Sequence, residues 1–180
     1  MESKEISSAN AQIKKAFERS AKAISLKPSL GYGTGLSKAK IINGLNCEIT
    51  EGKWKFFADM PEGVGGNATA PTPGVYGRAA LGSCLAIGYM MRAAVMQITI
   101  HSLEVEIQAD YDDGVLLAVS DSFPGYSEIR YTVTVETDAS QEDVMKLLDE
   151  ADHHSPYLDV FTRGQTCIRK VNIVAAKTNA

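Results

Sequence analysis

Residues 72–96, TPGVYGRAALGSCLAIGYMMRAAVM, decide the fold. Thr72 offers a hydroxyl as N-cap and Pro73 a backbone already set for the first helical turn, so the stretch predicts a helix from Pro73 to about Met96. Its longest apolar-rich run, Ala79 to Val95, is broken by Gly82, Ser83, Gly88 and Arg92 and falls short of a comfortable bilayer span. The helix is therefore expected inside a protein core, as the spine of the fold. Ala79, Ala80, Gly82, Ser83, Ala86 and Gly88 leave a surface that another backbone can approach closely, and a second helix is expected to pack there.

Upstream, residues 8–24 carry Ile13, Phe17, Ala21 and Ile24 at helical spacing, and Pro28 follows the end of that pattern. Between Gly35 and Ala58 the pattern changes to short runs parted by Asn43-Gly44 and Glu51-Gly52, which suit tight turns and predict a three-stranded meander. Residues 59–71, with Pro61, Gly63, Gly65, Gly66 and Pro71, read as a flexible covering loop. Neither a following Lys-Ser/Thr nor a directly preceding strand supports a phosphate-binding loop there.

Downstream, LEVEIQA at 103–109 alternates, Val115–Val119 follows Asp112-Asp113-Gly114, and 129–135 alternates again, giving a second group of strands. Ser140 with Asp143 opens a helix carrying Val144, Leu147, Leu148 and Ala151. After Ser155-Pro156 a last strand is expected over Thr166–Val174. Strands grouped rather than alternating with helices define an α+β class. Residues 1–30 form an N-terminal helical extension, and 31–180 a single domain.

At 180 residues and 44% hydrophobic content the chain suffices for one core, and a net charge of −4 supplies no cationic surplus for nucleic acid. Cys47, Cys84 and Cys167 are odd in number and lack CxxC spacing or paired histidines, against both a disulfide framework and a zinc site. The first ten residues, MESKEISSAN, are not a secretory signal. A reducing cytoplasm is the expected compartment, with no metal and no cofactor.

Cys84 is the candidate nucleophile. A thiol must ionise to attack, and a nearby cation, base or helix N-terminus normally activates it. Cys84 lies eleven residues beyond Pro73, about three turns into the helix, where the dipole has faded, so activation needs a tertiary neighbour. Without one, Cys84 is a small buried hydrophobe. Arg78 and Arg92 lie about 120° and about 80° away around the helix and are not obvious substitutes for that neighbour.

The segment from Pro71 through Cys84 to Met91 resembles the central helix of the OsmC/Ohr family of thiol-dependent hydroperoxide reductases, which places a proline eleven residues before its peroxidatic cysteine. Further likeness is carried by Asn43-Gly-Leu-Asn-Cys-Glu, by LEVEIQAD, and by Ala151-Asp-His-His-Ser-Pro-Tyr with Thr162-Arg-Gly, over roughly residues 34–176. The resemblance implies an OsmC-like fold in an intertwined homodimer and a peroxidatic role for Cys84. It also implies departures. The family's resolving cysteine falls on Ser155, which cannot form a disulfide, and its glutamate falls on Gly74. Its arginine meets Leu36-Ser-Lys-Ala-Lys, where Lys38 or Lys40 would carry the charge without the planar fork of a guanidinium.

His154 sits beside the vacated resolving position. As a pair, His153-His154 reads as a polar helix terminus, because adjacent helical side chains diverge. Cys47 and Cys167 read as structural thiols within strands, and Trp54, Phe56 and Phe57 as residues packed in or lining a sheet–helix pocket. The expected function is reduction of small organic hydroperoxides through Cys84, with an external thiol, or Cys47 or Cys167 coming within disulfide reach, in place of the absent resolving cysteine. The alternative is a non-catalytic homodimer binding a small apolar ligand in the same fold. A thiol hydrolase pairing Cys84 with His154 has no supporting spacing.

Overall fold

The computed structural model describes residues 3–175. Helix α1 (Ser3–Leu26) leads through a 3-10 turn at Pro28–Gly31 into β1 (Lys38–Asn43), β2 (Asn46–Glu51) and β3 (Trp54–Ala58), the antiparallel meander expected from the turn signals. Both connections are two-residue turns, and Gly44 and Gly52 take the left-handed φ of 54° that favours glycine at such positions.

Helix α2 (Pro73–Met96) runs as predicted, with one difference at its start. Thr72 occupies the N-cap, but its hydroxyl caps nothing, and the first turn is closed by its carbonyl, which accepts from Val75 and Tyr76. Strands β4 (Ile100–Asp110) and β5 (Glu128–Thr137) form an antiparallel ribbon whose facing pairs Leu103–Val135 and Val105–Val133 pack toward α2. Gly82 permits a close approach here: a Cβ would lie 3.1 Å from Ile107 Cγ1, a tight contact that Ile107 would have to yield to. At Gly82 the small-residue face of α2 thus meets a strand, although α1 and a later helix also pack on α2.

Helix α4 (Gln141–His153) starts on Ser140, whose Oγ accepts from Asp143 N, the capping arrangement read from the sequence. Leu147 and Ala151 of α4 join Leu81, Leu85, Tyr89, Ala93 and Ile100 in the core. By length and composition α2 would suffice to cross a membrane, but these contacts make it a core helix.

Four expectations need correction. Residues 115–119 do not form a strand: Asp112 accepts from Gly114 N and Ser120 Oγ and starts a short helix, α3 (Asp113–Leu116), so an aspartate read as part of a turn is an N-cap. Residues 166–174 pair with no strand, and Ile168, Val171, Ile173 and Val174 lie exposed along an irregular segment that also carries Cys167. The loop 59–71 is tied down and lines neither cavity described below. Buried Asp59 accepts from the N–H groups of Met60, Asn67 and Thr69 and from Thr69 Oγ1, and a Cβ on Gly66 would overlap the Met60 carbonyl. The Thr69 hydroxyl in particular holds the Asp59 carboxyl below its ordinary range. Trp54, Phe56 and Phe57 are exposed, the meander being joined to the helices through Tyr76, whose ring packs tilted against Phe56 at 5.5 Å and whose hydroxyl donates to the Phe57 carbonyl.

Candidate functional site

Cys84 lies at the centre of α2 on the wall of a cavity of about 640 Å³. The helix forms one side through Cys84, Ile87 and Met91. The end of α4 and the start of a further helix, α5 (Pro156–Thr162), bring His154, Ser155 and Tyr157 to another, and Phe17 of α1 to a third. A smaller cavity of about 300 Å³, between β5 and α5, holds no thiol.

The structure places Ser155 beside Cys84, with Sγ and Oγ 3.6 Å apart. Ser155 is nearly buried and also the N-cap of α5, its Oγ accepting from Leu158 N. Because that acceptor duty leaves the hydroxyl proton free, the O–H is placed to donate to a Cys84 thiolate and stabilise it.

His154 lines the same cavity. Its Nδ1–H donates to the Glu150 carbonyl at 2.8 Å, which leaves Nε2 as the ring's basic nitrogen when the imidazole is neutral. Arg92 also lines the cavity, its guanidinium 3.6 Å from the Glu150 carboxylate and 5.6 Å from the centre of the Phe17 ring. Lys38 is not part of this site: it begins β1, exposed and paired in register with Thr50. Gly74 lies at the other end of α2, where Tyr126 donates to its carbonyl and Arg78 reaches the Tyr126 hydroxyl.

The junction of α4 and α5 is fixed by a carboxylate clamp. Tyr89 donates to Asp152 Oδ1 at 2.7 Å and Tyr131 to Oδ2 at 2.8 Å, linking α2, β5 and the end of α4. Burial, reinforced by the Asp152 carboxylate, raises the Tyr89 phenol well above its ordinary range and pushes Tyr131 up to about 12. Ser155, three residues beyond Asp152, is tied to the same point by its N–H, which donates to the Asp152 carbonyl at 3.1 Å.

Sequence reasoning missed α5, Phe17 and the clamp. Ser155-Pro156 carries the same cap-and-proline signal as Thr72-Pro73, so α5 was readable. That Phe17 reaches the Cys84 cavity and that two tyrosines share Asp152 are tertiary facts without a local signal.

A core helix bearing one thiol, packed on an antiparallel ribbon and facing a helix-capping serine, defines a class of thiol-bearing α+β proteins. The family model described as OsmC-like protein matches residues 65–168, and the chain belongs to that family. Its fold is that of an OsmC-like protein of Mycoplasma pneumoniae, with a TM-score of 0.62 at 15% identity over 72% of this chain and 87% of that one. An organic hydroperoxide resistance protein of Elizabethkingia anophelis superposes with a TM-score of 0.54 at 17% identity, covering 73% and 89% of the two chains. The organic hydroperoxide resistance protein OsmC of Legionella pneumophila gives 0.52 at 19% identity, covering 72% and 90%. No curated protein matches the sequence.

Proposed function

We propose that the protein reduces organic hydroperoxides through Cys84. The observation that carries this reading is the thiol opening on an apolar cavity with the Ser155 hydroxyl 3.6 Å away. Two proteins of the same fold bear the name organic hydroperoxide resistance protein, which supports the substrate class.

In the proposed step the Cys84 thiolate attacks the terminal oxygen of ROOH. The S–O bond forms as the O–O bond breaks, and the alkoxide leaves and takes a proton to become ROH. Sulfur is oxidised to the sulfenic acid. An external thiol then attacks that sulfur, releasing water and forming a mixed disulfide. A second thiol frees Cys84 and leaves as the oxidised disulfide. Ser155 stabilises the thiolate but supplies no second sulfur, so the reductant comes from outside the chain.

The working form is a homodimer in the cytoplasm, a single domain over residues 31–180 with 1–30 as an extension. The exposed apolar residues of 166–174, the exposed meander that carries Lys38, and the exposed Ile87 on α2 offer surfaces for a second copy. A second reading, binding of a small apolar ligand without turnover, is favoured by the apolar cavity wall and by the engagement of Arg92 with Glu150.

The test is consumption of cumene hydroperoxide with dithiothreitol as reductant. Cys84→Ser is expected to abolish it, whereas Cys47→Ser and Cys167→Ser leave it nearly unchanged. Equal activity without the Cys84 thiol overturns the mechanism, and no consumption by the unaltered protein favours the binding reading.

A further inference from the structure

Helix α1 lies outside residues 65–168, the part that the family model matches, yet it contributes to the Cys84 cavity. Its half-buried residues, among them Asn10, Ile13, Lys14 and Phe17, recur at three- and four-residue steps and define one narrow face, while most of the helix is exposed. That face packs on α2. A solitary amphipathic helix gains little from its own hydrogen bonds, so the docked strip holds α1 in place.

Phe17 is the member of that strip that reaches the cavity, and it is held from a second direction. Arg92 of α2 lies over its ring and also pairs with Glu150 of α4, so one guanidinium joins three helices beside the cavity. With Glu150 compensating Arg92, the cavity favours an uncharged guest. Its other walls, Ile87, Met91, Pro156 and Tyr157, are largely apolar.

We propose that Phe17 sets the size of the group admitted to Cys84, making α1 a specificity wall built by the chain's own N-terminal segment. The guest is the organic group of an uncharged hydroperoxide, aromatic or branched rather than a carboxylate-bearing chain. This deepens the hydroperoxide reading and rests on it for the identity of the substrate. The geometry of the wall does not depend on turnover.

The experiment therefore has one arm without peroxide. Alkylation of Cys84 by iodoacetamide, a small reagent, and by N-phenylmaleimide, a bulky one, is timed by mass spectrometry of the Cys84 peptide in the full-length protein. Phe17→Ala is expected to raise the bulky-to-small rate ratio by about tenfold, the low end of what one apolar group in a pocket produces. Phe17→Trp is expected to lower the ratio below that of the unaltered protein. A ratio that fails to move in both directions overturns the proposal, and the tryptophan variant keeps the test open if alanine undocks α1. In the second arm, kcat/KM for cumene hydroperoxide relative to tert-butyl hydroperoxide should follow the same order. Absence of all turnover with the alkylation ratios shifted as expected would remove the hydroperoxide reading and leave the wall. Turnover that depends on Cys84 with unchanged ratios would do the reverse.

Discussion

Tyr89 and Ile173 occupy opposite extremes of the molecule, 0% and 93% exposed. Tyr89 belongs to a region that satisfies itself. Its ring is enclosed in the core and its hydroxyl donates to Asp152, which also accepts from the Tyr131 hydroxyl. Ile173 belongs to a segment whose apolar residues Ile168, Val171 and Val174 are exposed as well, and the meander shares this condition, with Ile41, Ile42 and Trp54 all exposed. A small sheet wet on both faces is marginal alone. One region of the sequence thus finds its partners within the chain, and the other leaves its apolar residues open to solvent.

The largest effect should come from breaking the second region. With Ile168 and Ile173 both changed to aspartate, a strand-forming segment acquires charges where an interface would bury apolar groups, and assembly should be lost altogether. Sedimentation at micromolar concentration is expected to give twice the 19.4 kDa chain mass for the unaltered protein and a monomer for the variant. Far-ultraviolet circular dichroism should keep its helical signal, since neither residue contributes to the α2 core. A dimeric double variant, or a monomeric parent, would contradict the division drawn here.

The self-satisfied region is tested at Asp152. Asp152→Ala strands the buried Tyr89 hydroxyl and should cost about 1–3 kcal/mol in urea unfolding, the price of one unpaired buried polar group. The clamp also carries a pH signature. Both phenols have folded-state values raised above the ordinary 10.0, chiefly by burial, so their contribution is complete below that value and is lost as pH rises through the folded value. For Tyr131 the window runs from 10.0 to about 12. Urea unfolding at about pH 9 and about pH 11 should show a fall for the parent and a smaller one for Tyr131→Phe. Equal falls would show that the Tyr131 phenol does not report on folding.

How much of this was legible follows the same division. The meander, α2 and the β4–β5 ribbon rest on local signals, namely two-residue turns at Gly44 and Gly52, a proline at the first helical position and strict alternation. The Ser155 alignment brought a residue 71 positions away to within 3.6 Å of Cys84, a placement supplied by resemblance and not by periodicity. The strand expected over 166–174 does not form among the described residues: Ile168, Val171, Ile173 and Val174 do not alternate, and no neighbouring strand pairs with them. Within one chain Lys38 stays apart from the cavity, because its strand belongs to the exposed meander.

The smallest effect on stability, and the finest probe of the site, is at Ser155. Ser155→Ala removes the α5 cap and should cost about 1 kcal/mol, a typical value for a lost N-cap. Ser155→Cys asks a sharper question. Disulfide sulfurs sit about 2.05 Å apart with Cβ atoms about 3.8 Å apart, so a pair now 3.6 Å apart at Sγ and Oγ needs only a small approach to bond. The shift is within reach because residue 155 starts a short helix of seven residues and has no strand register to break. It is also limited, because Asp152 pins the end of α4 three residues earlier. Mild peroxide should therefore convert the parent's Cys84 to a sulfenic acid or a mixed disulfide, and the variant's to a bond with the introduced thiol, both read by mass spectrometry. The parent should also overoxidise sooner, since no neighbouring sulfur traps its sulfenic acid. Should the variant form no such link while Cys84 still oxidises, the closeness of α5 to the thiol would not survive in solution, and the assignment of Ser155 to thiolate stabilisation would fall with it.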